Sequence, residues 1–81
     1  MKNLSDAIVD KLLKCLNDKN MTQYKLAEIS GVPFPTIKSI IQRRTKTINL
    51  KTLIMLSSGL ELTVSEFLDD ECFKIENLNL E

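Results

Sequence analysis

Apolar residues recur at helical spacing from the start of the chain. Over residues 5–19 they repeat every three or four positions, which predicts an amphipathic helix with one face in a core. Asp10 and Lys14 lie four apart on the polar side of this helix and are expected to form an ion pair. The apolar face comprises Ile8, Val9, Leu12, Leu13 and Leu16.

Two shorter helices joined by a tight turn are predicted within residues 23–42. Thr22 is a suitable cap for the first of them. Gly31 stands where that helix must stop, because glycine enters the left-handed backbone conformation freely. Pro33 and Pro35 then restrict the backbone, so we expect the next helix to begin at one of these two prolines or between them.

The spacing of small and apolar residues in this segment is typical of a helix-turn-helix. Ala27 lies four positions before Gly31, and Val32 can fill the angle between the two helices. Ile37 and Ile40 form an apolar stripe on the second helix. Such a stripe would hold that helix against a core while its other face is presented to a partner.

A fourth helix is predicted over residues 50–58. Asn49 precedes it as a cap, and Gly59 follows as a C-terminal glycine. The apolar side chains of this helix are Leu50, Leu53, Ile54 and Leu56.

A short fifth helix and a tail complete the chain. Thr63 and Glu66 form a capping box, which predicts a helix over residues 64–69. Residues 70–81 alternate charged and apolar side chains, a pattern that fits an extended arm, a short helix or a dimer contact. We therefore expect one domain over residues 1–69 followed by this tail.

Composition narrows the fold and the chemistry. The chain has 81 residues, 43% of them hydrophobic but only 5% aromatic, which predicts one small domain with an aliphatic core. It has no histidine, and Cys15 and Cys72 lie far apart, so we expect reduced structural thiols and neither a metal nor a cofactor. No nucleophile–base cluster or glycine-rich phosphate loop is present, so we do not expect an enzyme. No membrane-spanning run or signal peptide is present either, which predicts a cytoplasmic protein.

The charge is unevenly distributed although the formal net charge is zero. Residues 20–52 carry six basic side chains and one acidic, a net charge of +5, whereas residues 59–81 carry one basic and seven acidic, a net charge of −6. Solvated helix faces are the ordinary explanation of such runs, but here the basic run coincides with the helix-turn-helix. The loop bearing Arg43, Arg44 and Lys46 directly follows the second motif helix, which favours contact with phosphate.

The segments MTQYKLAEISGVPFPTIKSII and INLKTLIMLSSGLELTVSEFL, with the basic loop between them, resemble the Cro/repressor-type (XRE) helix-turn-helix family. The resemblance covers about Leu4 to Leu68. It implies an all-α, five-helix, lambda-repressor-like domain with the helix-turn-helix in helices two and three. It also implies that helix three lies in the major groove of DNA.

The resemblance further implies which residues contact DNA. Gln23 matches the phosphate-contacting glutamine of the family, and the N-terminal half of helix three would face the bases. Pro33 replaces the usual polar cap, and Pro35 replaces a residue that reads a base. The polar side chains left to read bases are Thr36, Lys38 and Ser39. Phe34 is either a lid on the core or an exposed tip that meets a thymine methyl group. The residues expected at DNA are Gln23, Lys25, Phe34, Pro35, Thr36, Lys38, Ser39, Arg43, Arg44 and Lys46.

Two functions follow from these observations. The first is a sequence-specific transcriptional regulator, a repressor, that binds double-stranded DNA as a homodimer, because one helix reads too few base pairs to select a genomic site. No small-molecule ligand is evident. The alternative is a protein-interaction module of the same fold, such as an antitoxin-like or anti-repressor partner. Its docking surface would be the acidic fifth helix and the tail, with Phe73, Ile75 and Leu78.

Overall fold

Five α-helices form the body of the protein in the computed structural model, which describes residues 2–80. The predicted all-α class is confirmed, and the helix ends lie within two residues of the expected positions. No helix within residues 2–80 combines the length and the apolar character needed to cross a bilayer. The helices span Leu4–Asp18 (α1), Gln23–Ser30 (α2), Phe34–Ile41 (α3), Leu50–Gly59 (α4) and Val64–Leu68 (α5).

Polar side chains cap four of these helices. In each case the capping oxygen accepts a hydrogen bond from the backbone N–H three residues later, a donor that the helix itself leaves unused. At the start of α5 the Thr63 N–H donates back to the Glu66 carboxylate at 2.9 Å, which confirms the predicted capping box. The four caps are Asn3, Thr22, Asn49 and Thr63.

The core is largely aliphatic, and the aromatic Phe67 within it is fully buried. Cys15 lies in this core, as predicted. Leu50 and Ile54, two of the apolar side chains of α4, are 63% and 48% exposed. The buried stripe of α4 passes through other positions and leaves these two at its margin. The fully buried side chains include Leu12, Leu26, Ile37, Leu56 and Leu60.

The two glycines act for different reasons. Gly31 ends α2 in the left-handed conformation, with φ of 79°, as predicted. Gly59 was expected to do the same for α4, but it is the last residue of that helix and its φ is not positive. A Cβ atom on Gly59 would lie 2.8 Å from the Ser30 Cβ, so glycine allows α4 to cross close to the end of α2. The left-handed residue after α4 is Glu61, with φ of 61°.

The tail packs against the body. Two short 3-10 turns, Glu71–Phe73 and Ile75–Asn77, follow α5. They lead to a two-residue strand, Leu78–Asn79 (β2), that pairs in parallel with Lys2–Asn3 (β1), a ladder that no sequence pattern indicates. Asp70 anchors the start of the tail by binding the Lys11 ammonium at 3.1 Å. The described part of the tail is therefore neither an extended arm nor a regular α-helix.

Candidate nucleic-acid interface

Helices α2 and α3 form the predicted helix-turn-helix. Leu26 and Ile37 fix the two helices in the core, and Val32 fills the angle between them at 3% exposure. The turn is held by the Ser30 hydroxyl, which accepts a hydrogen bond from the Val32 N–H at 3.1 Å. Because these inner contacts fix both helices, the outer surface of α3 is presented to solvent as one rigid surface.

The N-terminal end of α3 is apolar and offers few hydrogen-bond donors. The helix begins at Phe34, within the range that the prolines predicted. Pro33 and Pro35 have no N–H group, and the Thr36 N–H is already bonded to the Pro33 carbonyl at 3.0 Å. Base recognition at this end would therefore depend on apolar contact rather than on backbone donors.

Phe34 packs against Tyr24 of α2. Their ring centroids are 5.4 Å apart and the rings are tilted by 51°, an ordinary geometry for an attractive aromatic pair. Tyr24 is 68% exposed and Phe34 is half-buried, so Phe34 is neither a closed lid on the core nor a free tip. We call these two residues the aromatic pair. Tyr24 was not among the residues expected at DNA, so its place at this site was missed.

Further along α3 the exposed side becomes polar. A shallow cavity of about 250 Å³ is lined by Pro35, Lys38, Ser39, Gln42 and Arg44, and we call it the α3 groove. Four of these five residues were expected at DNA, and Gln42 was not among the expected residues. Within residues 2–80 neither the Lys38 ammonium nor the Arg44 guanidinium takes part in an ion pair. The groove therefore brings two unneutralised cations beside neutral donors and acceptors.

The start of α2 supplies a second polar area. Gln23 is half-buried at the first helical position, beside backbone N–H groups that an anion can use. The Lys25 ammonium lies 3.0 Å from the Glu28 carboxylate, and both side chains are more than half exposed. An exposed pair of this kind contributes little free energy, so Lys25 can exchange its carboxylate for a phosphate.

The basic side chains of the loop after α3 lie in two separate places. Arg44 turns toward the α3 groove, whereas Arg43 and Lys46 line a separate cavity beside Asp6 at the start of α1. The Arg43 guanidinium donates through Nη1 to Asp6 Oδ1 at 2.8 Å and through Nη2 to Asp10 Oδ1 at 3.1 Å. Hydrogen bonds to these two carboxylates raise the pKa of Arg43.

Asp10 therefore has partners other than the predicted one. Its carboxylate accepts from the Lys2 ammonium as well as from Arg43, and these hydrogen bonds, that of Lys2 foremost, lower the pKa of Asp10. The predicted Asp10–Lys14 pair was wrong, since Lys14 lies 3.8 Å from Asp70 instead. Local spacing favoured Lys14, but contacts between distant segments decided the outcome.

The backbone of Arg43 is unusual. Its φ is 61°, in the left-handed region that costs a side-chain-bearing residue roughly 1–2 kcal/mol. The N–H groups of Arg43 and Arg44 donate to the Ile40 and Ser39 carbonyls, each at 3.0 Å, which is the Schellman ending of a helix. Glycine is the common residue at this position, so the arginine has a cost that its side-chain contacts must offset.

The free protein thus groups part of the predicted site. Pro35, Lys38, Ser39 and Arg44 share the α3 groove, while Thr36 is exposed and lines a smaller cavity with the loop. Contact of any of the ten residues with DNA stays a prediction. Asp6 and Asp10 were missed as neighbours of the site, although their spacing of four on one helix face was a signal that a cation could bridge them.

Comparison with known proteins agrees with this geometry. Residues 11–72 match the Cro/C1-type HTH DNA-binding domain, and the chain belongs to this family. The predicted resemblance is confirmed. The protein therefore belongs to the class of DNA-binding transcription regulators. The chain is also similar to control protein C.SmaI of Serratia marcescens. The two are 30% identical over 74 residues, which cover 91% of this chain and 87% of that protein.

Proposed function

We propose that the protein is a sequence-specific regulator that inserts α3 into the major groove of DNA. The observation that carries this proposal is the α3 groove, where Lys38 and Arg44 lie beside Ser39 and Gln42 and form no ion pair with any residue that the structure describes. The major groove is about 12 Å wide and admits one helix with its side chains. Readout would then come from the polar side chains of α3 and from the aromatic pair, which can contact thymine methyl groups.

Phosphate binding would come from the two sides of α3. Arg44 and Lys46 follow its C-terminal end, and Gln23 and Lys25 lie at the start of α2. Each phosphate that a cation neutralises releases bound counterions, which makes the affinity fall with salt. We therefore expect salt-sensitive binding to all DNA, on which the contacts of α3 impose sequence preference.

We propose a homodimer, because two copies of α3 read enough base pairs to define a site. Leu50 and Ile54 lie four apart on α4 and are largely exposed, and they offer an apolar surface for a second copy. Repression needs only occupancy of promoter DNA, and the relative named a control protein supports a regulatory role. In this proposal the protein is cytoplasmic, has no catalytic activity and needs no small-molecule ligand.

Selection from a randomised duplex pool tests this function directly. We expect enrichment of an inverted repeat with half-sites about one helical turn apart, as two-fold symmetry requires. Enrichment of a single half-site would contradict the dimer but keep the readout. Absence of salt-sensitive retention would contradict DNA binding itself. The variant Ile54→Glu should yield a monomer in sedimentation and lose preference for the repeat, whereas Lys51→Glu serves as a charge-changing control on the same helix.

The alternative, a protein-interaction module docking through the tail, receives less support from the structure. Leu78 is only 9% exposed and the Phe73 ring lies 6.1 Å from that of Phe67, so two of the three expected docking residues are occupied within the protein. Ile75 remains exposed at 75%. DNA binding is therefore the function that the exposed surfaces favour.

A further inference from the structure

Arg43 and Arg44 are adjacent in sequence but differ in the contacts of their side chains. Arg44 lines the α3 groove and forms no ion pair within residues 2–80. Arg43 takes the left-handed conformation and bonds both Asp6 and Asp10, on successive turns of α1. Two neighbouring arginines in one basic loop would be expected to play the same part, and the structure separates them.

We propose that Arg43 is a positioning residue that joins the end of α3 to α1 through Asp6 and Asp10, rather than a phosphate contact. We call these three residues the arginine clamp. The clamp fixes where the chain leaves α3, and so it sets the directions of Arg44 and Lys46. This inference rests on the proposed function, since the direction of the loop matters for recognition only if α3 meets DNA.

The local charges argue against phosphate binding by Arg43. Its guanidinium faces two carboxylates, and Lys2 binds the second of them, so the cluster has no net charge. A phosphate that drew Arg43 away would face Asp6 directly and would leave Asp10 with Lys2 alone. Repulsion between these like charges opposes the exchange.

Backbone hydrogen bonds explain why loss of the clamp would change the position of Arg44. The Arg44 N–H donates to the Ser39 carbonyl at 3.0 Å, and the Arg43 N–H donates to the Ile40 carbonyl. Both bonds require Arg43 to stay in the left-handed conformation that its side-chain contacts hold in place. If Asp6 and Asp10 release the side chain, this ending can unwind, and Arg44 and Lys46 lose their fixed directions.

Matched arginine variants of the full chain test the inference. Arg43→Gln and Arg44→Gln remove the same charge from adjacent positions, and Asp6→Asn combined with Asp10→Asn opens the clamp while leaving Arg43 present. Affinities for a selected duplex and a scrambled duplex would be measured over a series of salt concentrations. The salt slope is the change in log affinity with log salt, and each phosphate contact contributes about 0.9 to it.

Arg44→Gln should lower the salt slope by about 0.9. Arg43→Gln should leave the slope unchanged, because Arg44 and Lys46 can still reach phosphates. It should reduce the preference for the selected duplex several-fold, because these contacts no longer fix the register of α3 on the bases. The Asn pair should reduce that preference to the same extent without lowering the slope. The inference is overturned if Arg43→Gln lowers the slope as Arg44→Gln does, or if the Asn pair tightens binding to both duplexes, since the carboxylates would then compete with phosphate.

Hydrogen exchange at the Arg44 amide gives a readout that does not depend on DNA. Arg43→Gln and the Asn pair should each accelerate exchange at this amide, and combining them should add nothing further, because they break the same contact. Unchanged exchange in all three proteins would overturn the clamp. If no protein bound DNA while exchange behaved as expected, the proposed function would fail and the clamp would stand.

Discussion

The two ends of α3 are built from opposite chemistry. The N-terminal end holds Phe34 between two prolines and packs it on Tyr24, with few donors available. The C-terminal end opens into a loop with two arginines and a lysine, of which Arg43 is held by α1. Helix α3 therefore has an apolar contact surface at one end and a cationic one at the other. The two are about 12 Å apart, because eight residues rise by 1.5 Å each.

This difference separates two properties that a DNA-binding helix usually mixes. Cations near phosphate supply affinity that depends on salt and little on sequence. Apolar groups in the major groove distinguish the thymine methyl and contribute almost nothing to salt dependence. Substitutions at the two ends should therefore change different measured quantities, and the following experiments are ordered by the size of the expected effect.

The largest effect should come from Gly59→Ala, which disturbs the packing of α4 against α2 and therefore the helix-turn-helix that carries both ends of α3. The new Cβ would lie 2.8 Å from the Ser30 Cβ at the end of α2, too close for real atoms. Overpacking of this kind costs about 1–3 kcal/mol, so the free energy of unfolding in urea should fall by that amount. Ser58→Ala, at an exposed neighbouring position of α4, is the control. Equal stability of the two variants would show that α2 and α4 can separate without cost.

Lys38→Ala should change sequence preference within the α3 groove. If the ammonium donates to a base edge, its loss removes about 1–3 kcal/mol of discrimination at one base pair of each half-site. Binding to every single-base variant of the selected duplex would be measured. Lys46→Ala is the matched control and should weaken binding to all these duplexes alike. An equal loss of affinity for all these duplexes in Lys38→Ala would indicate that Lys38 contacts the DNA backbone rather than a base.

Phe34→Ala should have a smaller effect, visible only where a thymine meets the aromatic pair. Replacing that thymine by uracil removes one methyl group, worth about 0.8 kcal/mol or roughly four-fold in affinity when it is buried. The wild type should lose this factor at one or two positions, and Phe34→Ala should not. Equal sensitivity of both proteins to uracil would remove Phe34 from the reading surface. Salt slopes should be the same throughout.

The smallest effect on α3 should come from the tail. A hydrogen bond from the Cys72 N–H, followed by that from Lys11, holds the pKa of Asp70 at about 2. Because this pKa is lower in the folded state, Asp70 contributes stability that is complete above its unfolded pKa of about 3.9 and is lost as the pH falls through 2.

Urea unfolding between pH 5 and pH 2 should therefore show a shallower loss of stability for Asp70→Asn than for the wild type. Asp69→Asn, one position earlier and exposed, is the control. DNA binding at neutral pH should be the same in all three proteins, since Asp70 touches neither end of α3. Parallel pH curves for the wild type and Asp70→Asn would show that the contacts of the Asp70 carboxylate with the Cys72 N–H and Lys11 add nothing to folding.

Sequence reasoning succeeded where a few neighbouring residues decide the structure. Thr63 and Glu66 cap α5 through each other, and Gly31 takes the one conformation that its position requires. Asn20 likewise takes the left-handed conformation just after α1, with φ of 52°. These features need no knowledge of the rest of the chain, and they include the turn on which the motif depends.

It failed where distant segments meet. Gly59 was assigned a turn because nothing local shows that Ser30 lies against it. Prediction of the site had the same limit, because the partners of Arg43 lie 33 and 37 positions away on α1. Periodicity identified Ile54 as an apolar position of α4 but could not show that the helix leaves this side uncovered.

The pairing of β1 with β2 joins Lys2 to Leu78, which lie 76 positions apart. Contacts between residues so far apart form late, whereas those within the helix-turn-helix join neighbours and can form early. A two-residue ladder is also weak, so it should be the first part of the structure to open. Because Lys2 also binds Asp10, opening of the ladder should loosen this third cation contact beside the two that Arg43 makes in the arginine clamp.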